Sequence, residues 1–417
     1  MNNRRNFLKI AGAGLTGSLV SPFNTSAAKL ATGKNHVKIG VLVPQSNEHP
    51  LLPRSFMNGI RLGLNQRDVV KMNKIEIVSE QVNYGSPMVT KSKVQQLITE
   101  NNVNLVVGLI NSEVAFDIGD LVKNAQVPTL ISNAGENYLN KHIKDNPFLF
   151  FNTLNLLENS FQAGQYAVEN FGKSIGVITA FYDSGYDSLA AFYKGVELAG
   201  GRIVETYLKK HNDDDFVKRT LDKLESQKPD GIYVFLNGNL ADDFFRSKYQ
   251  RNLNIPTMAS SFAVEDSRLI NLGSAANEIL NFNTWNKNID NKENHTFLSD
   301  YNKKYATEPD QFGFLGYETG LIVYQSLIWC NGDFSGTNLA DSIANCKVNS
   351  PGGKIGVNKK SGMVSNSTYL CETQSSLFNM YENRVVKTLN PFSESNEFCA
   401  TFDSRIHSGW LNPYLFV

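Results

Sequence analysis

The chain is poor in cysteine, and its four cysteines, Cys330, Cys346, Cys371 and Cys399, all come late. No two have the C-x-x-C spacing that a structural zinc site favours. An excess of charge is also missing, because Lys+Arg is 40 and Asp+Glu is 40. Nothing therefore argues for a nucleic-acid or lipid-headgroup surface. No segment beyond the N-terminal region offers eighteen unbroken apolar residues, so no membrane-spanning helix is expected. The histidines, His36, His49, His142, His211, His295 and His407, are scattered and never form H-E-x-x-H. Ser112 does not stand in a nucleophile-elbow turn. Catalysis is not expected, and no cofactor or metal is called for. The cluster His211-Asn212-Asp213-Asp214-Asp215 reads as a solvated turn before a helix, not as metal ligands.

What is present begins with an address. Arg4-Arg5 precedes Phe7-Leu8-Lys9, then a modest apolar run from Ile10 to Val20, then Ser26-Ala27-Ala28. That order is a basic segment, an apolar segment and a small-residue cleavage site, in the twin-arginine form. Residues 1–28 are read as an export signal, which makes the rest a protein of the bacterial periplasm, exported already folded. Gly12-Ala13-Gly14-Leu15-Thr16-Gly17 matches the dinucleotide pattern G-x-G-x-x-G but lies inside this signal and follows no strand. In an oxidising compartment an even cysteine count favours disulfides. The expected pairs are Cys330–Cys346 and Cys371–Cys399, each closing a short loop; buried free thiols are the alternative.

At 417 residues, 41% of them hydrophobic, the chain can build two domains with full cores. Strand-like apolar runs alternate with amphipathic helices. Strands are expected at 37–43, 75–78, 105–107 and 128–132. Helices are expected at 55–66, from Pro87, and from Ser112 as cap. The alternation repeats with strands at 174–179, 202–208, 231–236, 255–260 and 279–283, and helices at 186–199, 216–226 and 240–251. A mainly helical stretch follows from 288 to 346, then an antiparallel pair at 369–371 and 376–381. This pattern predicts an α/β chain with two successive doubly wound parallel sheets.

Val107-Gly108-Leu109-Ile110-Asn111-Ser112 resembles the V-G-x-x-x-S element of type I periplasmic binding proteins. The branch is that of the leucine/isoleucine/valine-binding and amide-binding receptors of ABC transporters. Gln95-Gln96-Leu97, Val127-Pro128-Thr129, Asp230-Gly231-Ile232 and Gly316-Tyr317-Glu318 stand around it in the family's order. The resemblance covers about 37–389. It implies two lobes joined by three crossings: 37–153 plus 285–351, and 154–284 plus 352–389, with 390–417 as an aromatic tail. It also implies a ligand cleft between the lobes, an inner-membrane ABC permease as partner, and a monomer that binds a small polar solute without changing any bond.

Ligands of doubly wound sheets lie beyond the carboxyl ends of strands. Ser112 is placed there at a helix start, where its hydroxyl and free N–H groups suit a carboxylate or another polar group. Ala134 and Glu136 follow the next strand; a carboxylate at 136 would repel an acid and favour a cation or donor. On the other lobe the candidates are Tyr182, Ser184 and Tyr186, then Asn237 and Asn239, and Ser261. Amino-acid binders of the family place an acid near Ser261; here Glu265 comes several residues later. Ser46, Asn47, Glu48 and His49 form a loop at the cleft mouth. Two alternatives remain: a periplasmic sensor that passes its signal to a receptor partner, or a structural envelope protein with a degenerate cleft. The same two-lobed fold serves all three.

Overall fold

The computed structural model describes residues 36–47, 49–64, 74–135, 146–181, 183, 187–359, 361–376 and 380–389, without the side chains of 112 and 113. The export signal, the tail from 390, Cys399, Glu48, Glu136, Tyr182, Ser184 and Tyr186 lie outside the described residues. No helix among the described residues is long and apolar enough to cross a membrane.

The first sheet contains β1 (His36–Val43), β2 (Lys74–Gln81), β3 (Leu105–Leu109), β4 (Thr129–Asn133) and β5 (Leu149–Thr153), in the order β2-β1-β3-β4-β5. All four pairings are parallel. Strands β3, β4 and β5 are buried at every residue, as expected when helices cover both faces. Helices α1 (Leu52–Leu64), α2 (Pro87–Thr99) and α3 (Ser112–Ala125) link them. The cap of α3 is Asn111, not Ser112: the Val114 N–H donates to Asn111 Oδ1 at 2.6 Å. Ser112 is the first helical residue.

The chain leaves this sheet after Thr153 and enters α4 (Leu156–Asn170). Next come β6 (Ser174–Ala180), α5 (Asp187–Leu198), β7 (Arg202–Lys209), α6 (Phe216–Gln227), β8 (Gly231–Phe235), α7 (Gly238–Gln250), β9 (Thr257–Ala259), α8 (Asp266–Leu272) and β10 (Ile279–Asn283). Strands β7-β6-β8-β9-β10 repeat the order of the first sheet, again in parallel. The reversal of strand order in each sheet falls where a cleft is expected.

After Asn283 the chain returns to the first sheet's side through α9 (Lys292–Tyr305), α10 (Gln311–Trp329) and α11 (Gly336–Ala344). Helices α10 and α1 meet backbone to backbone. A Cβ on Gly59 would lie 2.2 Å from the Gly313 carbonyl oxygen, and one on Gly316 would lie 2.1 Å from that of Phe56. Asp310 caps α10 through the Gly313 N–H (2.7 Å), and its other oxygen accepts from Ser55 Oγ of α1 (2.7 Å). A small sheet of β11 (Lys347–Ser350), β12 (Gly353–Val357) and β13 (Val364–Ser365) follows, with Met363 bridging Phe151 of β5. The third passage therefore runs through Asn366 and Ser367, not Pro351-Gly352. Beyond it, β14 (Thr368–Ser375) and β15 (Tyr381–Leu389) extend the second sheet as an antiparallel pair.

Two expectations change. The late second strand runs over Tyr381–Leu389, not 376–381, because the Ser376 N–H closes the hairpin on the Met380 carbonyl. Cys330, Cys346 and Cys371 are buried free thiols. The Cys330 sulfur contacts Ser342 Oγ at 3.3 Å and that of Cys346 points to the Ile322 carbonyl, so the expected Cys330–Cys346 bridge is absent. Cys371 is also unbridged, and its expected partner lies outside the described residues.

Candidate functional site

The carboxyl ends of the two sheets meet through the loops that follow β1 and β9. His49, after β1, packs edge-on against Phe312 at the start of α10, with ring centroids 5.1 Å apart. It also packs against Phe262, in the short turn after β9, at 5.5 Å. Phe262 and Phe312 complete the trio at 6.3 Å. Beside it, His49 Nδ1 stands 3.9 Å from Glu265 Oε1, too far for a hydrogen bond. Burial, and then the Arg268 charge, lower the His49 pKa to about 4. Burial, and then the charge of Asp310, raise that of Glu265 to about 8. Near neutral pH the two side chains are therefore uncharged, and the sheets touch through an apolar, unionised wall.

A cavity of about 840 Å³ opens beside this wall. His49, Leu52, Asp310 and Phe312 line it from the first sheet's side, Asn239, Asp242, Glu265 and Arg268 from the second's, and Trp285 from the passage between them. Arg268 donates to Asp242 Oδ2 at 2.9 Å, and Lys287 lies 3.3 Å from Glu308 and 3.7 Å from Asp266. Arg268 also acts on Glu265, and burial holds the Glu265 and Asp310 carboxyls towards their neutral form, so the cavity presents hydrogen-bonding groups of both kinds.

Strand ends place the expected residues as follows. Gly108 has φ +155°, and a Cβ there would lie 2.5 Å from the Leu42 carbonyl oxygen, so only glycine lets β3 pass β1 at this point. Ala134 follows β4 and is buried; its carbonyl accepts the Leu156 N–H at 2.7 Å, which joins it to the first passage. Asn237 precedes α7 and donates from Nδ2 to Asp183 Oδ1 at 2.8 Å. Asn239 lies in the first turn of α7 and lines the cavity. Ser261 is buried in the turn after β9. Ser112 is placed by its backbone alone, and Glu136, Tyr182 and Ser184 lie outside the described residues.

Phe262, Phe312, Asp310 and Asp183 were not picked out from sequence. Asp183 stands between the candidates Tyr182 and Ser184; the others meet only through long-range packing, which no local spacing reveals. The sequence also contains Gly172-Lys173-Ser174-Ile175-Gly176, a G-x-S-x-G spacing. Ser174 opens β6 with its N–H bound to Asp230, and so does not form a strand-to-helix elbow. No cluster of three or more His, Cys, Asp or Glu able to hold a metal occurs among the described residues. Asp213, in the acidic turn, is held by two bonds from Arg219, at 3.0 and 2.6 Å.

The profile of the family described as periplasmic binding protein matches residues 36–376. Proteins named Leu/Ile/Val-binding protein homolog 6, from Brucella abortus and Brucella suis, are 21% identical over 370 residues, which is 87% of this chain and 94% of theirs. Among solved structures, an ABC transporter substrate-binding protein from Sphaerobacter thermophilus superposes with TM-score 0.77 at 23% identity, covering 86% of this chain and 99% of that one. A solute-binding protein from Rhodopseudomonas palustris BisB5, in complex with 3,4-dihydroxybenzoic acid, gives 0.73 at 23% identity over 87% and 99%. A leucine-binding protein from Thermotoga maritima gives 0.67 at 18% identity over 85% and 99%. At these identities the structural likeness speaks for the fold.

Proposed function

The chain belongs to the periplasmic binding protein family, and from that premise we propose that it serves ABC-type uptake as an extracytoplasmic solute-binding protein. It holds a small polar solute, an amino acid, an amide or a related compound, reversibly between two lobes. One lobe is the first sheet with 285–365, and the other is 154–284 with 368–389. The observation that carries this reading is the meeting of the β1 and β9 loops, from opposite sheets, at His49, Phe262 and Glu265. Ligands of such sheets bind at strand carboxyl ends. Three short passages let one lobe rotate on the other.

Ser112, Ala134 and Glu136 grip the solute from one lobe. Tyr182, Ser184, Asn237, Asn239 and Ser261 complete the site from the other. Asp183 beside Asn237 favours a solute with ammonium or amide donors, and Glu265, near the place where amino-acid binders of the family keep an acid, offers an unionised carboxyl that can both accept and donate. Of the proteins named above, one is a leucine-binding protein and another is in complex with 3,4-dihydroxybenzoic acid, and both of those compounds carry hydrogen-bond donors. The protein passes the solute to an inner-membrane permease and itself acts as a monomer in the periplasm, reached by the twin-arginine route.

The test is thermal unfolding of the mature protein against amino acids, amides, urea, short peptides and small carboxylates. A ligand at 100 times its Kd adds about 2.7 kcal/mol. A selective shift with an amino acid or amide is expected; a response confined to carboxylates without donors overturns the ligand class. With the ligand found, Ser112→Ala is expected to weaken binding by about 1–3 kcal/mol, as loss of a hydrogen bond to a charged group does, and to leave unfolding unchanged. Unaltered affinity by calorimetry removes Ser112 from the site.

A further inference from the structure

In the cavity beside the aromatic wall, three side chains from the second sheet's side keep hydrogen-bonding capacity that the protein itself does not use. Asp242, within α7, is buried. Its Oδ2 accepts from Arg268 Nη1 at 2.9 Å, while its Oδ1 is buried without a hydrogen-bond partner. A guanidinium carries several further N–H donors in one plane. Among the described residues the Arg268 side chain makes that one bond only. Glu265 shares the turn with Arg268, whose backbone N–H donates to the Glu265 carbonyl at 2.8 Å. The Glu265 Oε1 is likewise buried without a hydrogen-bond partner. All three residues line the cavity.

The cavity is a compartment beside the strand-end residues. Ala134, Asn237 and Ser261 do not line it, whereas Asn239, in the first turn of α7, does. At about 840 Å³ it lies in the range of pockets that hold whole small ligands. The cluster at its side restricts what can enter. A carboxylate would gain Arg268 but would face Asp242 and Glu308. An ammonium would gain Asp242 but would face Arg268 and Lys287. An aliphatic side chain would leave the Arg268 donors and both carboxyl oxygens unpaired in a desolvated place, which is costly. A carboxamide brings an acceptor for Arg268 and N–H donors for the two oxygens, and it adds no charge.

We propose that Arg268 and Asp242 form an amide-recognition site, and that the part of the solute entering this cavity carries a carboxamide or peptide group. The oxygen of that group accepts from Arg268, and its N–H groups donate to Asp242 Oδ1 and Glu265 Oε1. The pair works as a unit: Asp242 holds the guanidinium in place and opposes its charge, so a neutral polar group is preferred to an acid. The same pair selects against a branched aliphatic side chain of the kind a leucine binder takes. The assignment rests on the proposed solute-binding role, but Arg268 and Asp242 are not among the residues on which that role was built.

The experiment is calorimetric titration of the mature full-length protein with glutamine, glutamate, leucine and alanylalanine. Glutamine or alanylalanine is expected to bind, with glutamate and leucine weaker by about tenfold or more, as for the loss of a hydrogen bond to a charged group. Glutamate or leucine matching the better of the two amide-bearing probes overturns the proposal, and so does a lack of response to both of those probes. Asp242→Asn leaves the Arg268 charge unopposed and is expected to cut the preference for glutamine over glutamate by about tenfold or more. An unchanged preference in that variant overturns the proposal. Arg268→Gln is the second variant, should the first fail to fold; it is expected to weaken the better amide-bearing probe by about tenfold or more, and unaltered affinity overturns the proposal. A solute from the wider unfolding panel that binds without an amide overturns the amide site and leaves the uptake role standing, whereas binding by no class of solute counts against that role itself.

Discussion

Three side chains, the buried Glu318 and the partly buried His49 and Glu265, set opposite demands on the proton. His49 titrates at about 4 in the folded chain against a usual 6.5, so its contribution is complete above pH 6.5 and is lost as pH falls through 4. Glu265, raised from 4.5 to about 8, and Glu318, raised from 4.5 to about 7, work the other way. Their contribution is complete below pH 4.5 and is lost as pH rises through 7 and 8. At about 1.4 kcal/mol per pH unit of displacement, Glu318 alone accounts for about 3 kcal/mol. Thermal unfolding followed by calorimetry from pH 4 to 9 is expected to give a maximum near pH 5 and a steady decline towards 8.5. Glu265→Gln is expected to flatten that decline. A wild-type midpoint that rises from pH 5 to 8 contradicts the assignment of both acids. None of this was legible in the sequence: Glu265 was noted only as an acid several residues late, and Glu318 only as part of Gly316-Tyr317-Glu318.

Elements were more legible than side-chain environments, for a physical reason. Strands buried on both faces, such as Leu105–Leu109, stand out as apolar runs between turn residues, and Pro87 marks the start of its helix. The elements missed include β5 and α4, besides α8 and the small sheet β11–β13. Leu149-Phe150-Phe151 is short, and α4 begins after Asn155, which has φ +50° and uses no side-chain cap, so neither carries a local start signal. The shift of the α3 cap from Ser112 to Asn111 has the same origin, because both residues are good caps and only Val114 reveals which one serves. The glycines of α10 were legible as letters but not as a contact, since their partner α1 is remote in sequence. Gly316→Ala is expected to cost about 1–3 kcal/mol or more by urea unfolding, because its Cβ would lie 2.1 Å from the Phe56 carbonyl oxygen. Gly356→Ala, with its nearest new contact at 3.7 Å, is the control and is expected to stay within about 0.5 kcal/mol. Equal stability of the two variants would disprove the backbone contact.

For the whole molecule, the aromatic trio of His49, Phe262 and Phe312 is the described bridge between strand ends across the cleft. Removing its centre should loosen the hold of one sheet on the other. His49→Ala is expected to enlarge the radius of gyration of the ligand-free protein in solution scattering while the far-ultraviolet circular dichroism stays unchanged. An identical scattering curve would assign the trio to core packing alone. The backbone contact of α1 with α10 has a further consequence, in time rather than in space. Ser55 and Asp310, which bond across it, are separated by 255 residues. A ribosome adding roughly 5–20 residues per second releases α1 about 10–50 seconds before its partner helix exists. During that interval Phe56 and Ile60, both buried in the finished protein, have no α10 to pack against. The surface that α1 later buries against α10 is therefore open to other contacts until synthesis is almost complete.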